Sequence, residues 1–258
     1  MVLNPMVIYR LKSENIVYDL YLPEKSNGKV VLYVPGLPGH PRRKNIGETF
    51  ATHGFTFFEM RFPGSWESDG VFTMDNCVKS LGESYAFIKT GRGSELRRGV
   101  RKEWVHDKII FLGSSFGGGI ILSSGIKDPL TFVLLAPVTK LQHLKDSLIT
   151  LPSGEDDLFH LLSQGYANVY RGLTREDWGN LLGGKTLVNP EANVENLKNK
   201  GLLFVQGTAD DVIRSEHTDE YVKGLQSKGV DARIITISGA GHGGDLEGNA
   251  IDSLVSVL

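Results

Sequence analysis

Apolar and β-branched residues gather in eight short runs along the 258-residue chain, near 6–10, 16–22, 29–34, 55–61, 108–113, 130–136, 202–206 and 232–238. The first two runs are separated by the polar stretch Leu11–Asn15, which predicts a hairpin and an antiparallel start. Val30–Val34, Ile109–Leu112, Phe132–Leu135 and Leu202–Val205 are almost unbroken in apolar residues. Strands of that kind need cover on both faces, as in a parallel sheet. Segments with helical character lie between them, near 43–53, 74–90, 117–126, 215–228 and 246–258. Alternating strands and helices predict a doubly wound α/β sheet. The alternation breaks over 139–200, where no strand candidate occurs although Leu158–Leu162, Tyr166–Tyr170 and Trp178 are apolar or aromatic. So long an interruption is expected to be a functional insertion, a mostly helical cap over the carboxyl edge of the sheet.

Composition narrows the function classes. A hydrophobic fraction of 40% and a charged fraction of 22% suit a globular enzyme or binding protein, and a net charge of −2 offers no field that gathers nucleic acid or anionic lipid. The most basic stretch, Arg97–Lys102, is short, lacks interleaved aromatics and reads as a solvated loop. The single cysteine, Cys77, excludes an internal disulfide and a multi-cysteine metal site, and within a helical segment it reads as a small buried apolar residue. Met1–Met6 has neither a basic leader nor a long apolar run, and no stretch approaches the ~20 apolar residues of a membrane span. These features predict a cytoplasmic location, no stable membrane insertion and no nucleic-acid partner.

The chemistry concentrates in Gly113-Ser114-Ser115-Phe116-Gly117, a G-x-S-x-G motif directly after the apolar run 108–112 and before the small-residue stretch 117–124. A strand, a very tight turn and a helix are what a nucleophilic serine needs to stand exposed at a sheet edge. The hydroxyl needs a base, and the base needs an orienting group. Of seven histidines, His242 lies in a glycine loop, Gly239–Gly244, just after the run 232–238, at the same sheet edge as Ser115. His40, in another glycine loop upstream of the serine, is the rival; His53, His106, His143, His160 and His217 read as surface or packing residues. Asp210 and Asp211 follow the run 202–206, where adjacent aspartates ordinarily shape turns or cap helices. In chain order the candidates run Ser, Asp, His.

With these motifs the chain resembles an α/β-hydrolase from end to end. Gly113–Gly117 matches the nucleophile elbow, Gly207–Asp210 the acid loop and Gly241–Gly243 the histidine loop. Arg61–Gly70 is similar to an R-x-x-G-x-S-x-G segment of the lysophospholipase-like, serine aminopeptidase-like and dienelactone hydrolase-like members, and Gly207–Asp211 to the acid loop of prolyl oligopeptidase relatives. The resemblance implies a mostly parallel eight-stranded sheet flanked by helices, with a core of 1–138 and 201–258 and a helical cap at 139–200. It implies a Ser115–Asp210–His242 triad, since the acid in related loops stands three residues after the glycine. Oxyanion donors are expected from the Leu37 and Phe116 amides, Pro35 standing where relatives carry a histidine. The expected activity is serine hydrolysis without cofactor or metal, on a small-molecule ester or related acyl substrate. A carboxylesterase is favoured, with Phe62, Trp66 and the cap forming the pocket. An aminopeptidase or amidase, with Glu155, Asp156 and Asp157 receiving a free amine, and a thioesterase are the alternatives. A binding protein on an inactive hydrolase fold is the non-enzymatic one.

Overall fold

Strands apolar at every position are stable only when both faces are covered, and such strands form the middle of a single large sheet in the computed structural model, which describes residues 7–41 and 45–258. The strands in chain order are β1 (Ile8–Ser13), β2 (Ile16–Tyr21), β3 (Lys29–Val34), β4 (Thr56–Met60) and the short pair β5 (Arg92–Ser94) and β6 (Arg101–Glu103). They are followed by β7 (Lys108–Ser114), β8 (Thr131–Leu135), β9 (Gly201–Gly207) and β10 (Ala232–Ile237). Eight of them make one sheet in the order β1-β2-β4-β3-β7-β8-β9-β10, while β5 and β6 form a separate antiparallel hairpin. The antiparallel start predicted from the sequence is present: β1 pairs antiparallel with β2, and β2 with β4. All remaining pairs in the large sheet are parallel.

Two boundaries differ from the sequence reading. β1 runs to Ser13, so the connection shrinks to Glu14 and Asn15, with Glu14 at φ 50°. The basic stretch that reads as a loop runs into a β5–β6 hairpin, with Arg101 and Lys102 in its second strand; the hairpin's residues show no apolar alternation, and it is held from outside by a bridge from Glu95 to Leu11. Met6 and residues 43–44 of the expected first strand and first helix lie outside the described residues.

The helices are α1 (Ile46–Thr52), α2 (Met74–Lys89), α3 (Phe116–Leu122), α4 (Leu141–Ser147), α5 (Asp157–His160), α6 (Arg175–Leu182), α7 (Val194–Leu197), α8 (Ser215–Ser227) and α9 (Gly244–Val257). In α2 the buried residues Met74, Cys77, Val78, Leu81 and Ile88 recur at helical spacing, and Thr73 caps the start by accepting from the Asn76 amide at 3.1 Å. No helix among the described residues is long and apolar enough to cross a membrane.

The register sets the function-bearing edge. Val34 aligns with Gly113, Ser114 with Leu135, Leu135 with Val205, and Ile237 with Gly207. The carboxyl ends of five parallel strands therefore finish together, and the loops at 35–41, 115, 136–140, 208–214 and 238–243 leave from one edge.

Residues 139–200 carry α4 to α7 and no strand of the large sheet. Their contacts with the rest of the chain are specific. Asn193 donates from Nδ2 to the Leu122 and Ser124 carbonyls at 2.7 and 2.8 Å, and Tyr221 on α8 donates to the Pro190 carbonyl at 2.9 Å. His143 on α4 and His217 on α8 stack with ring centroids 3.6 Å apart and planes 18° from parallel. Both Nδ1 atoms are buried without a hydrogen-bond partner.

The other fixed point is a ring of charges behind the site. Arg61, at the end of β4, donates to buried Asp19 on β2 at 2.6 Å, and Arg10 on β1 donates to the same carboxylate at 3.1 Å. Arg61 Nε also lies 2.7 Å from Glu67 Oε2, at ion-pair distance but without a hydrogen bond's alignment. This ring anchors the segment Arg61–Gly70, in which Ser68 donates to the Arg61 carbonyl and accepts from the Val17 amide, both at 2.9 Å.

Gly64 lies in this segment at φ 72°, and a Cβ there would sit 2.1 Å from the Phe72 nitrogen. Gly82, exposed in α2, has open space around its missing Cβ. Gly64→Ala is expected to destabilise by at least ~1–3 kcal/mol from backbone strain alone. Gly82→Ala should stabilise by roughly 0.5–1 kcal/mol through the lower backbone entropy of alanine. Urea unfolding of both variants measures the contrast; equal effects would show that the close approach at Gly64 does not govern stability.

Candidate active site

Ser115 occupies the turn between β7 and α3 with φ 52° and ψ −116°, a conformation that costs a non-glycine residue about 1–3 kcal/mol. Its backbone is fixed on both sides. The Ser115 amide donates to the Leu135 carbonyl at 2.8 Å, and its carbonyl accepts from Gly118 at 3.0 Å and Val138 at 3.1 Å. Both motif glycines are required by approach distance. A Cβ on Gly113 would lie 2.8 Å from the Gly118 Cα, and one on Gly117 would lie 2.2 Å from the Val34 carbonyl oxygen. Helix α3 thus begins almost in contact with the ends of β3 and β7, which lifts the Ser115 side chain to the sheet edge. Ser114, one residue earlier, is buried.

Asp210 follows β9, its side chain fully buried. One carboxylate oxygen accepts from the Val212 and Ile213 amides at 3.0 and 2.8 Å, and the other lies 2.8 Å from His242 Nδ1. Gln206, the last polar side chain of β9, braces this loop: it donates to the Ile213 carbonyl at 2.8 Å and accepts from Thr218 on α8 at 2.8 Å. His242 leaves β10 through a loop packed directly on the end of β9, where a Cβ on Gly207 would meet the Ala240 carbonyl oxygen at 2.2 Å. The other ring nitrogen, Nε2, is 3.0 Å from Ser115 Oγ. Ser115, His242 and Asp210 are therefore brought into one line. Asp211 is exposed, and α8 begins without a side-chain cap, so Asp211 does not fill the capping role open to it in the sequence.

A carboxylate only accepts hydrogen bonds, so the 2.8 Å contact places the imidazole proton on Nδ1. Nε2 is then a free lone pair facing the serine hydroxyl. The Phe116 amide, first in α3, has no carbonyl within its own helix to serve and faces the same end as Ser115.

Beside Ser115 and His242 opens a cleft of about 420 Å³. Gly36, Leu37 and His40 form one wall, and Ile46 and Phe57 add apolar surface. Glu59 and Glu247, both largely buried, also line it. Tyr33 donates to Glu247 at 2.9 Å; its burial, with the two carboxylates beside it, pushes the phenol pKa well up. His40, the rival base, reaches Tyr166 Oη at 2.6 Å through Nε2, whereas the ring nitrogen that meets Ser115 Oγ belongs to His242.

Phe62 and Trp66 do not line this cleft. Phe62 is buried against Phe72 and Phe116, and Trp66 turns its indole N–H to the Gly39 carbonyl at 2.8 Å, so both support the loop from behind. Glu155, Asp156 and Asp157 are likewise engaged elsewhere. Glu155 pairs with Arg175 and His160, Asp156 accepts from the Phe159 amide and the Trp178 indole, and Asp157 accepts from the Ile149 amide. Sequence reasoning missed Gln206, Tyr33 and Glu247. A polar residue closing an apolar strand run was the available signal for Gln206. Nothing in the local pattern marked the other two.

Residues 166–258 match the prolyl oligopeptidase family. Dipeptidyl aminopeptidase BIII of Pseudoxanthomonas mexicana is 23% identical over 252 residues, 93% of this chain, and the chain spans only 35% of that relative's length. Among solved structures, Est1E from Butyrivibrio proteoclasticus superposes with a TM-score of 0.61 at 15% identity, over 97% of this chain and 95% of that one. The Pyrococcus furiosus esterase Pf2001 does so with a TM-score of 0.64 at 14% identity, over 98% of this chain and 88% of that one. With the sheet order, the positive-φ serine turn and these likenesses together, the chain is an α/β-hydrolase by fold.

Proposed function

We propose that this protein is a serine hydrolase acting on small to medium carboxylic esters. One observation carries the reading: Ser115 Oγ, His242 and Asp210 form an unbroken relay, at 3.0 and 2.8 Å, that opens on the cleft. Ser115 attacks the ester carbonyl carbon as Nε2 of His242 takes its proton, and Asp210 holds the ring in that tautomer and stabilises the imidazolium. The Leu37 and Phe116 amides take the developing oxyanion; Pro35 and Pro38 have no N–H to offer, and the Gly39 amide is engaged by Tyr170. His242 then protonates the leaving alcohol, and water repeats the cycle on the acyl-enzyme. Residues 139–200 act as a helical cap beside this cleft. The cleft volume lies in the ~300–1,000 Å³ range of small-molecule sites, and Leu37, Ile46 and Phe57 suit a modest acyl chain.

A second reading has its own support. Glu59 and Glu247 would favour a substrate carrying a free amine, as an aminopeptidase or amidase requires, and the relative from Pseudoxanthomonas mexicana is named as an aminopeptidase. A thioester would pass through the same steps as an ester.

Ser115 is expected to be the residue labelled rapidly by a fluorophosphonate, with Ser115→Ala abolishing turnover. Mass spectrometry of the adduct checks this, and an unreactive protein would be a binding module on a hydrolase fold. On a panel of p-nitrophenyl esters, chains of roughly C2–C8 should be turned over faster than long-chain lipids. A clear preference for aminoacyl anilides would move the assignment to the second reading.

Asp210→Asn should lower turnover by up to ~10⁴-fold, the loss seen when the orienting acid of a serine protease is so replaced, because the amide favours the wrong imidazole tautomer. Asp211→Asn should cost far less. Steady-state kinetics of both variants, with thermal melts to check folding, decide it; a larger loss at Asp211 would reverse the assignment.

A further inference from the structure

The loop at 35–41 forms a wall of the cleft, yet among the described residues no backbone–backbone hydrogen bond outside helices and strands ties it down. Three prolines, Pro35, Pro38 and Pro41, remove donors. The loop is instead folded on itself at Gly39, where a Cβ would lie 2.8 Å from both the Gly36 carbonyl oxygen and Pro35 Cβ. From outside, side chains grip that same residue. The Gly39 amide donates to Tyr170 Oη at 2.9 Å, and its carbonyl accepts from the Trp66 indole at 2.8 Å. His40, next in the chain, meets Tyr166 Oη at 2.6 Å and packs its ring against Trp66 and Tyr166.

Tyr170 is a rigid anchor. It is 4% exposed, its ring meets Phe72 edge-on at 4.9 Å, and the next residue is bound on three sides. The Arg171 amide donates to the Gly64 carbonyl at 2.9 Å, its carbonyl accepts from the Phe72 amide at 2.8 Å, and its guanidinium donates to the Trp66 carbonyl at 2.8 Å. Burial raises the Tyr170 phenol pKa, keeping the oxygen neutral at working pH.

We propose that Tyr170 is a positioning residue of the oxyanion loop: by accepting the Gly39 amide it fixes the backbone two residues earlier, and with it the Leu37 N–H, where charge develops during acyl transfer. The proposal rests on the serine hydrolase reading. It gives the inserted segment a part in the chemical step, although none of its residues touches the reacting atoms.

Tyr170→Phe tests this, since it keeps the ring against Phe72 and removes only the acceptor. Three readouts are taken: amide hydrogen exchange over residues 35–41, steady-state kinetics on a p-nitrophenyl ester, and affinity for a trifluoromethyl ketone that forms a tetrahedral adduct. Exchange should speed up in the loop alone. kcat should fall about 10-fold or more, below the ~10²–10³ of an oxyanion donor lost outright, with KM within about twofold. Ketone affinity should fall in step with kcat. Trp66→Phe, which frees the Gly39 carbonyl instead, should give the same pattern and serves if Tyr170→Phe does not fold. Unchanged loop exchange overturns the proposal, as does faster exchange with kcat and ketone affinity intact. If the wild-type protein fails to react with a fluorophosphonate, the hydrolase reading falls and the oxyanion role with it. Loop exchange, which needs no catalysis, tells the two failures apart.

Discussion

Helix α3 must start within contact distance of the ends of β3 and β7, and the rest of the site follows from that approach. The backbone at Ser115 takes a positive φ to turn so sharply, and it is held there by its amide's hydrogen bond to the Leu135 carbonyl and by those its carbonyl accepts from Gly118 and Val138. Side chains are excluded along the contact. Gly117 faces the Val34 carbonyl, Gly118 faces Pro137, and Gly119 faces the Val138 carbonyl, each closer than a Cβ tolerates. Three consecutive glycines oppose helix formation by roughly 1 kcal/mol each relative to alanine. Packing on the sheet, not local propensity, therefore holds α3 in place, and the same packing carries the strain at Ser115.

The parallel register extends this constraint to the partners of Ser115. Because β9 and β10 finish level with β7 and β8, the loops after them open on the edge where the serine stands. Asp210 is fixed by two backbone amides and a buried glutamine before it reaches the histidine. The histidine ring is consequently oriented from a buried support, while its other nitrogen faces the cleft.

Much of this was legible in the sequence because it depends on local rules. Unbroken apolar runs mark strands covered on both faces, and glycines two residues either side of a serine after such a run mark a turn of this kind. Contacts set by the tertiary path were not legible. Arg92–Ser94 and Arg101–Glu103 have no strand pattern; they pair because β1 offers an edge nearby and because Gly93 lets the backbone approach Phe87. Phe62 and Trp66 have the chemistry of pocket residues, but the turn at Gly64 directs them behind the loop. Tyr166 and Tyr170 stood out in the sequence only as aromatic residues of the segment 139–200. Their hydroxyls reach a loop more than 120 residues away in sequence, as separations of 126 and 131 show.

The stacked imidazoles of His143 and His217 bear on how this protein responds to acid. Burial, His217 and Lys140 hold the His143 pKa below its usual 6.5, against the opposing pull of Glu220 and Asp146. The folded state therefore takes up this proton less readily than the unfolded chain. The stability tied to the neutral ring is present above pH ~6.5 and is lost as pH falls through that value toward the folded pKa. Lys140, paired with Glu220 at 2.6 Å, adds a second positive charge at the same junction. Acid thus loosens the join between α4 and α8, and α8 begins a few residues after Asp210. Thr218 on α8 holds the Gln206 side chain that in turn braces the loop carrying Asp210, so a shift of α8 is passed on to that loop from behind.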